Sequence, residues 1–597
     1  MAVSASNLVE LLAQACTRFA DLRAFGTKST AGWKWMSYAE LAAAVASCRA
    51  ALARRGVAPG DRVCVVSNNR PEWAIVAYAA YGRQAVLVPM YEEQPPEEWQ
   101  YILADSDAKI AFVSKPHIFT QLTRLQDELP RIEHVIGFDL PATDPHSYAA
   151  FLATAEGTTA PTLVPAPDDL AGCIYTSGTT GIPKGALLTH KNYCANIDSV
   201  HATLPIDRDT TLSFLPWAHA FGQTADLHCM LSAGTTIALN DEISNLIDNL
   251  AEVRPTLLCA VPRIFNRVYD RVHERIAHKP AFVRRLFHGG MQAALREKAG
   301  KHLSLGESLT LRAADVLIFR QTRQKLGGRL RFVVSGSAAL NKDVAQFIDA
   351  LGITIYEGYG LTETAPVVSV NRPGRCRLGS VGPPVDGVRV VIDETATDEP
   401  GQGEIIVYGD NVMRGYHDQP EATKKRLTPD GGCRTGDLGY LDADGFLFIT
   451  GRITEQYKLE NGKFVAPGPL EEELKISPYV ANAILYGRNR PYNVALVVPD
   501  AEAVAKWARE NRLDVGDWTT SEPLRRLIAS ELTRLGANMR SYERPREFAV
   551  LTEDFTAANG LLTQTLKVRR ELVVKKHAAL IERLYALGPR ASRRPSK

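Results

Sequence analysis

The sequence predicts an α/β protein: a large N-terminal domain of layered, doubly wound sheets with a small β subdomain, followed by a smaller α+β C-terminal domain. Three observations carry this. Strand-like and helix-like stretches alternate through most of the 597 residues, the pattern of layered α/β folds. Runs such as RFVVSG (331–336) and ITIYEG (353–358) leave a strand into a glycine-containing loop, and strand ends are where open α/β sheets bind ligands. The chain also exceeds the ~250–300 residues at which a single core stops growing, so several domains are required.

The elements follow in order. Leu8, Leu11, Leu12, Ala15 and Phe19 fall at helical spacing. No basic segment leads into a continuous apolar run there, so no signal peptide is expected. RVCVVS (62–67) reads as a strand feeding the helix PEWAIVAYAAY (71–81), and KIAFVS (109–114) as the next strand. The Pro/Ala/Thr-rich stretch 141–168 reads as a surface connector. Short strands with tight turns over about 385–450 (VRVVID, GEIIVYG, GYLDADGFLFIT) make the β subdomain. The boundary is set at Gly451–Arg452, giving domains 1–451 and 452–587, the second opening on a polar strand-and-turn segment (453–468). The tail 588–597, GPRASRRPSK, is basic and expected to be disordered.

Composition excludes several classes. With 45% apolar and 23% charged residues the chain can build a large core. A net charge of +2 argues against a general nucleic-acid binder. The nine cysteines are scattered singly without a C-x-x-C pair, so neither a zinc site nor a disulfide framework is expected and the reducing cytoplasm is the expected home. No run of about 18 uncharged apolar residues exists, so any membrane contact is peripheral. One asymmetry stands out: Val261 to Leu330 holds fifteen Lys/Arg against five Asp/Glu. Ile264, Phe265, Val268, Tyr269, Val272 and Ile276 there form an apolar face interrupted by Arg267, Arg271 and Arg275. Such a helix either lies on an anionic membrane surface or covers a core with its basic side in water, and both readings stay open.

The richest motif is YTSGTTGIPKG (175–185). Thr176, Ser177, Gly178, Thr179, Thr180 and Gly181 combine hydroxyl and N–H donors with close backbone approach, and Lys184 adds a point charge, which together suit a phosphate. The spacing is not that of a Walker A loop. YEGYGLTET (356–364) offers Tyr359 to stack on a base, Thr362 to hold a phosphate oxygen and Glu363 as a hard ligand for Mg²⁺. CRTGDLGYLDADGFLFITGR (433–452) sets Asp437 in a glycine turn, able to accept two ribose hydroxyls, and Arg452 after a strand. GRITEQYKLENGKFVAP (451–467) is polar and glycine-punctuated, and NGLLTQTLKVRR (559–570) places Lys567 among hydroxyl-bearing neighbours. Singly, these are capped turns or a surface lysine; their weight comes from occurring together and in order.

Together they resemble the adenylate-forming superfamily of acyl-CoA synthetases, luciferases and peptide-synthetase adenylation domains, over nearly the whole chain. VPRIFNRVYDRV (261–272), the basic helical insert (about 261–330), LGGRLRFVVSGSAAL and QYKLENGKFV look like its long-chain fatty acyl-CoA synthetase branch. The resemblance implies two half-reactions: a fatty carboxylate attacks the α-phosphorus of ATP with loss of pyrophosphate, then the thiol of coenzyme A displaces AMP. A protein nucleophile is unnecessary, and no G-x-S-x-G elbow is present. By the same resemblance, Thr176–Gly181 and Lys184 hold the β- and γ-phosphates, and Gly336, Glu357, Gly358 and Tyr359 line the adenine pocket. Thr362 meets the α-phosphate, Glu363 and Thr176 meet Mg²⁺, and Asp437 and Arg452 bind ribose. His219 (in LPWAHAFGQ) sits at the acyl pocket, and Lys567 bridges the carboxylate and nucleotide. The domain after Arg452 then rotates, withdrawing Lys567 and bringing in the 453–468 segment with Lys458. The chain departs from the pattern at Thr454, where the hinge residue is commonly Asp or Lys, and at Gln223, where some relatives carry an aromatic gate. Rival readings are a fatty acyl-AMP ligase that passes its adenylate to a carrier protein, an amino- or aryl-acid adenylating domain, and a catalytically silent nucleotide-binding or membrane-scaffold protein.

Overall fold

The computed structural model describes residues 2–129, 131–177, 182–397, 399–556, 559–563, 568–586 and 588. Among these, seven strands form one sheet in the order Gly415–Tyr416, Pro183–Thr189, Leu170–Ser177, Val86–Met90, Arg62–Val66, Ala108–Val113 and His134–Gly137. Its last four members are parallel, and their runs are continuously apolar because both faces are covered. Val63 and Val65 belong to the central core, whereas Cys64 and Val66 pack with Ile102 and Ile118 on the other side. Helix Pro71–Tyr81 is buried from Trp73 onward, as expected of a segment apolar all round.

The opposing layer consists of two four-stranded sheets. One has the order Gly32–Ser37, Arg23–Ser29, Thr236–Leu239, Thr210–Ser213; the other runs Leu257–Ala260, Phe332–Ser335, Thr354–Gly360, Val367–Val370. The Thr256 N–H donates to the Thr210 carbonyl at 2.8 Å and joins them edge to edge. Strand alternation gives the second sheet two chemistries: Leu257, Cys259, Phe332 and Val334 face the central core, while Leu258, Val333 and Ile355 face a helical layer. The N-terminal helix Leu8–Arg18 is capped by Asn7, and all five residues singled out by spacing are buried.

In the first helix of the basic insert, the apolar face covers a core. In helix Pro262–Ala277, Phe265 and Ile276 are buried, and Val268, Tyr269 and Val272 pack against the same cluster as Phe347. The far end of this helix meets the C-terminal region: Glu274 pairs with Lys506, and His278 lies 4.0 Å from Glu510. Its apolar face is therefore a core face.

A four-stranded antiparallel sheet follows (Arg389–Asp393, Gly403–Tyr408, Cys433–Leu441, Leu447–Arg452). Beyond it come the hairpin Tyr457–Lys458/Phe464–Val465 and the sheet Val480–Tyr486, Asn493–Pro499, Pro545–Val550, with helices and two cores of their own. Eight of the nine cysteines are buried and all are free. Among the described residues no helix is long and apolar enough to cross a membrane. The connector 141–168 contains one short helix, Tyr148–Ala153, and 589–597 of the basic tail lie outside the described residues.

Between the layers, Gly222–His228 winds as a π-type turn. A Cβ on Gly222 would stand 2.3 Å from the Pro216 carbonyl oxygen, so glycine is needed for this close approach. Asp226 in this turn is fully buried, accepts the Ser213 hydroxyl at 2.5 Å, and burial pushes its carboxyl up to about 7. The folded state therefore keeps a proton that the unfolded chain releases near pH 4, and Asp226 loses stabilising weight as pH rises from there to about 7. Thermal melts should show the stability of the parent relative to Asp226→Asn falling across that window and flat above it; a pH-independent difference would refute the buried neutral acid.

Candidate active site

The carboxyl ends of Phe332–Ser335 and Thr354–Gly360 open into a cavity of about 700 Å³. The hairpin Leu170–Ser177/Pro183–Thr189 lines it from the facing layer, and residues 568–572 of the C-terminal domain line it too. One part is polar, with Thr176, Lys184, Thr362, Glu363 and Arg452. The other is an apolar arm, with Leu204, Ile206, Met230, Leu257 and Phe332. His219, Phe221 and Gly336 also line the cavity. A side chain at Gly336 would press on the Phe221 ring at 3.2 Å.

Two buried carboxylates organise the polar part. Asp437 accepts the Tyr359 hydroxyl at 2.6 Å on one oxygen and Arg452 Nε at 2.8 Å on the other. A carboxylate has about four lone-pair sites, of which these two donors occupy two; Asp437 is 4% exposed and lies behind the cavity liners Gly436 and Arg452. Glu363 accepts the Tyr416 hydroxyl at 2.6 Å and the Arg426 guanidinium at 2.5 Å. Burial works against ionisation of Glu363, but Arg426 and Tyr416 outweigh it and hold the carboxyl below its ordinary range. Arg426 also donates to the Thr435 carbonyl at 3.0 Å, and the Lys184 ammonium lies 5.6 Å from the Tyr416 ring centre. Tyr416 is brought in by strand pairing, since Tyr416 and Gly415 lie opposite Ala186 and Leu187.

Thr362 opens a short 3-10 turn, Thr362–Thr364, reached through Gly360. A Cβ on Gly360 would be 1.9 Å from the Pro366 oxygen, so the strand can end this tightly only on glycine. His219 receives the Phe221 N–H on Nδ1 at 3.2 Å. Gln223 is fully buried, its Oε1 accepting the Tyr193 hydroxyl at 2.7 Å.

Some expected residues are placed elsewhere. Glu357 is not among the residues that line the cavity: its carboxyl takes the Gly379 N–H at 3.0 Å, its carbonyl takes the Asn371 N–H at 2.8 Å, and burial pushes its carboxyl up to about 7. The adenine expectation thus rests on Gly336, Gly358 and Tyr359, which line the cavity. Lys458 sits in the C-terminal hairpin with its ammonium 5.0 Å over the Phe464 ring, outside the cavity lining. Gly178, Thr179, Thr180, Gly181 and Lys567 lie outside the described residues, as does the side chain of Ser177. The neighbours of Lys567 are firmly held: Arg569 bridges to Glu98 at 2.9 Å, and Arg570 grips Glu471 through two bonds of 2.7 and 2.6 Å. Tyr416, Arg426, Glu98 and the pair Arg569–Arg570 were not singled out by sequence; Arg426 sits in PEATKKRL, which reads as a solvated basic run.

The model of the AMP-binding enzyme family matches residues 12–417, and that of the AMP-binding enzyme C-terminal domain matches 455–588. The chain belongs to the AMP-binding enzyme family. A long-chain-fatty-acid–CoA ligase of Mycobacterium bovis, FadD15, is 35% identical over 567 residues, covering 93% of this chain and 92% of its own. A peroxisomal long chain acyl-CoA synthetase 7 of Arabidopsis thaliana is 31% identical, covering 95% and 83%. Among solved structures, the adenylation domain of a carboxylate reductase from Mycobacterium chelonae superimposes with a TM-score of 0.79 at 25% identity, covering 97% of this chain and 91% of that one.

The buried pair makes a direct prediction. Arg426→Ala leaves the buried Glu363 without its cation and with only the Tyr416 hydroxyl beside it, which should cost ~3 kcal/mol in urea unfolding. Adding Glu363→Gln should recover much of that loss. Additive losses in the double variant would show that the two side chains are not coupled.

Proposed function

We propose that the chain activates long-chain fatty acids: ATP and the acid form an acyl-adenylate and pyrophosphate, and coenzyme A then takes the acyl group with release of AMP. One observation carries this reading. A single cavity joins a polar region of strand ends and cations to an arm lined by aliphatic and aromatic side chains, in a chain whose relatives at 30–35% identity are named long-chain fatty acid–CoA ligases.

The assignment of roles follows the chemistry of the side chains. Asp437, oriented by Tyr359 and Arg452, accepts the ribose hydroxyls. Tyr359, with Gly336 and Gly358, flanks the base. Thr176, Ser177, Gly178, Thr179, Thr180 and Gly181 with Lys184 hold the departing phosphates, and Thr362 steadies the α-phosphate. The oxygen donors of Glu363 and Thr176 fit Mg²⁺, a hard cation held mainly by phosphate oxygens. When bound, it supplies neutralisation of phosphate charge. His219, a liner of the cavity, meets the acyl chain, and Lys567 bridges the carboxylate and phosphate, offsetting the repulsion between two anions. Catalysis here is positioning and charge stabilisation.

We further divide the chain at Arg452, with the region after it turning about Arg452–Thr454 between half-reactions. The turn exchanges Lys567 for the 453–468 segment and Lys458. Arg569–Glu98 crosses this division and must break for the second half-reaction, whereas Arg570–Glu471 lies within the turning part and is kept.

Palmitate, ATP and Mg²⁺ should yield pyrophosphate and adenylate, and added coenzyme A should yield thioester and AMP. Adenylate without thioester would favour an acyl-AMP ligase. No turnover with any carboxylate would favour a silent binder. Lys567→Ala should cut adenylate formation roughly 100-fold or more while leaving thioester formation from supplied acyl-AMP largely intact. Equal loss in both half-reactions would contradict domain alternation.

A further inference from the structure

The acyl arm runs along the second sheet from its carboxyl edge towards its amino edge. Gly336 lines the cavity at the strand end, Val334 and Cys259 come next, and Phe332 and Leu257, opposite each other in register, begin their strands. The run from Gly336 back to Phe332 spans about 13 Å at ~3.3 Å per residue. Leu204 and Ile206 line the arm as well, from the loop between helix His190–Thr203 and strand Thr210–Ser213. Leu204, Ile206, Leu257 and Phe332 are all buried, so the arm ends blind where three segments distant in sequence meet.

One buried carboxylate ties these three segments together. Asp209 accepts Arg331 Nη2 on its two oxygens at 2.7 and 2.8 Å, the Thr256 hydroxyl at 2.5 Å and the Asp207 N–H at 3.1 Å. Each donor adjoins a residue of the blind end: Arg331 precedes Phe332, Thr256 precedes Leu257, and Asp207 follows Ile206. The same Arg331 Nη2 reaches the Pro205 carbonyl, between Leu204 and Ile206, at 3.2 Å, and the guanidinium carbon lies 5.3 Å from the Phe332 ring centre. Aliphatic contacts are non-directional and do not by themselves fix the spacing of three segments. Charge-assisted bonds fix direction as well as distance. Asp209 is not among the cavity liners, so it acts on the arm only through its neighbours.

We propose that Asp209 is a positioning residue that holds the blind end shut and thereby sets the longest acyl chain accepted, with Leu204, Ile206 and Phe332 as the stop that the terminal methyl group meets. This role rests on the fatty-acid reading of the arm and adds to it where the chain must end. A chain too long for the arm pushes these segments apart against the Asp209 bonds. Loosening those bonds admits longer chains, whereas filling the end at Ile206 excludes them. An ion pair that served the fold alone would support every substrate equally. Arg331 is half exposed, so water takes over its charge when Asp209 is removed.

The test is kcat/KM for saturated acids from decanoate to arachidate, with ATP, Mg²⁺ and coenzyme A, in the parent, Asp209→Ala, Asp209→Asn and Ile206→Phe. The ratio of arachidate to laurate should rise ~10-fold in Asp209→Ala, mainly through KM, the factor that the fit of a methylene group carries. Asp209→Asn keeps an acceptor for Thr256 but loses the charge that grips Arg331, and should move the ratio the same way by a smaller step. Ile206→Phe should move the preference to shorter acids. A ratio taken within one variant is insensitive to how much of that variant is folded, and if Asp209→Ala does not fold, Asp209→Asn decides. Equal loss at every chain length in the Asp209 variants, or an Ile206→Phe profile like that of the parent, would overturn the proposal. A parent that turns over no fatty acid would instead overturn the fatty-acid reading itself, and this role with it.

Discussion

The carboxylate of Asp437 is the constraint on which the site depends. It receives a hydroxyl from the strand Thr354–Gly360 and a guanidinium from the last residue of Leu447–Arg452, while belonging itself to Cys433–Leu441. One buried charge thus ties the central sheet, the β subdomain and the entrance to the C-terminal domain. A buried carboxylate persists only if paired and hydrogen-bonded, so the three elements cannot drift apart without exposing an unpaired charge. The Glu363–Tyr416–Arg426 cluster repeats this arrangement nearby, and through Tyr416 it couples the strand Pro183–Thr189 to the same wall.

Similar side chains behave in opposite ways within this molecule. Glu363 stays ionised because a guanidinium offsets its burial, whereas Asp226 and Glu357, buried with only a neutral donor each, are pushed up to about 7. Environment, not residue type, divides carboxyls that present charge to a ligand from those that act as neutral structural acids.

Much of this was legible in the sequence because it is local. Helix Leu8–Arg18, helix Pro71–Tyr81 and the strands that run into glycine loops follow from periodicity and turn chemistry. The resemblance of the ordered motifs to the adenylate-forming superfamily, not periodicity, implied that Thr176, Lys184, Thr362, Glu363, Tyr359 and Arg452 share a site, and all six line the cavity. What was not legible depends on tertiary pairing. Arg426 looks like one more surface cation until the edge strand Gly415–Tyr416 and the helix after it bring it to Glu363. Glu357 was grouped with Gly358, although strand alternation sends neighbours to opposite faces. Amphipathicity showed that helix Pro262–Ala277 had an apolar side but not what covered it; that side is core.

The account rests on a carboxylate attacking the α-phosphorus within this cavity, and the fate of an oxygen atom tests that most directly. Turnover of palmitate whose carboxylate carries heavy oxygen should place one labelled oxygen in AMP and none in pyrophosphate. Label in pyrophosphate or inorganic phosphate, or unlabelled AMP, would contradict it.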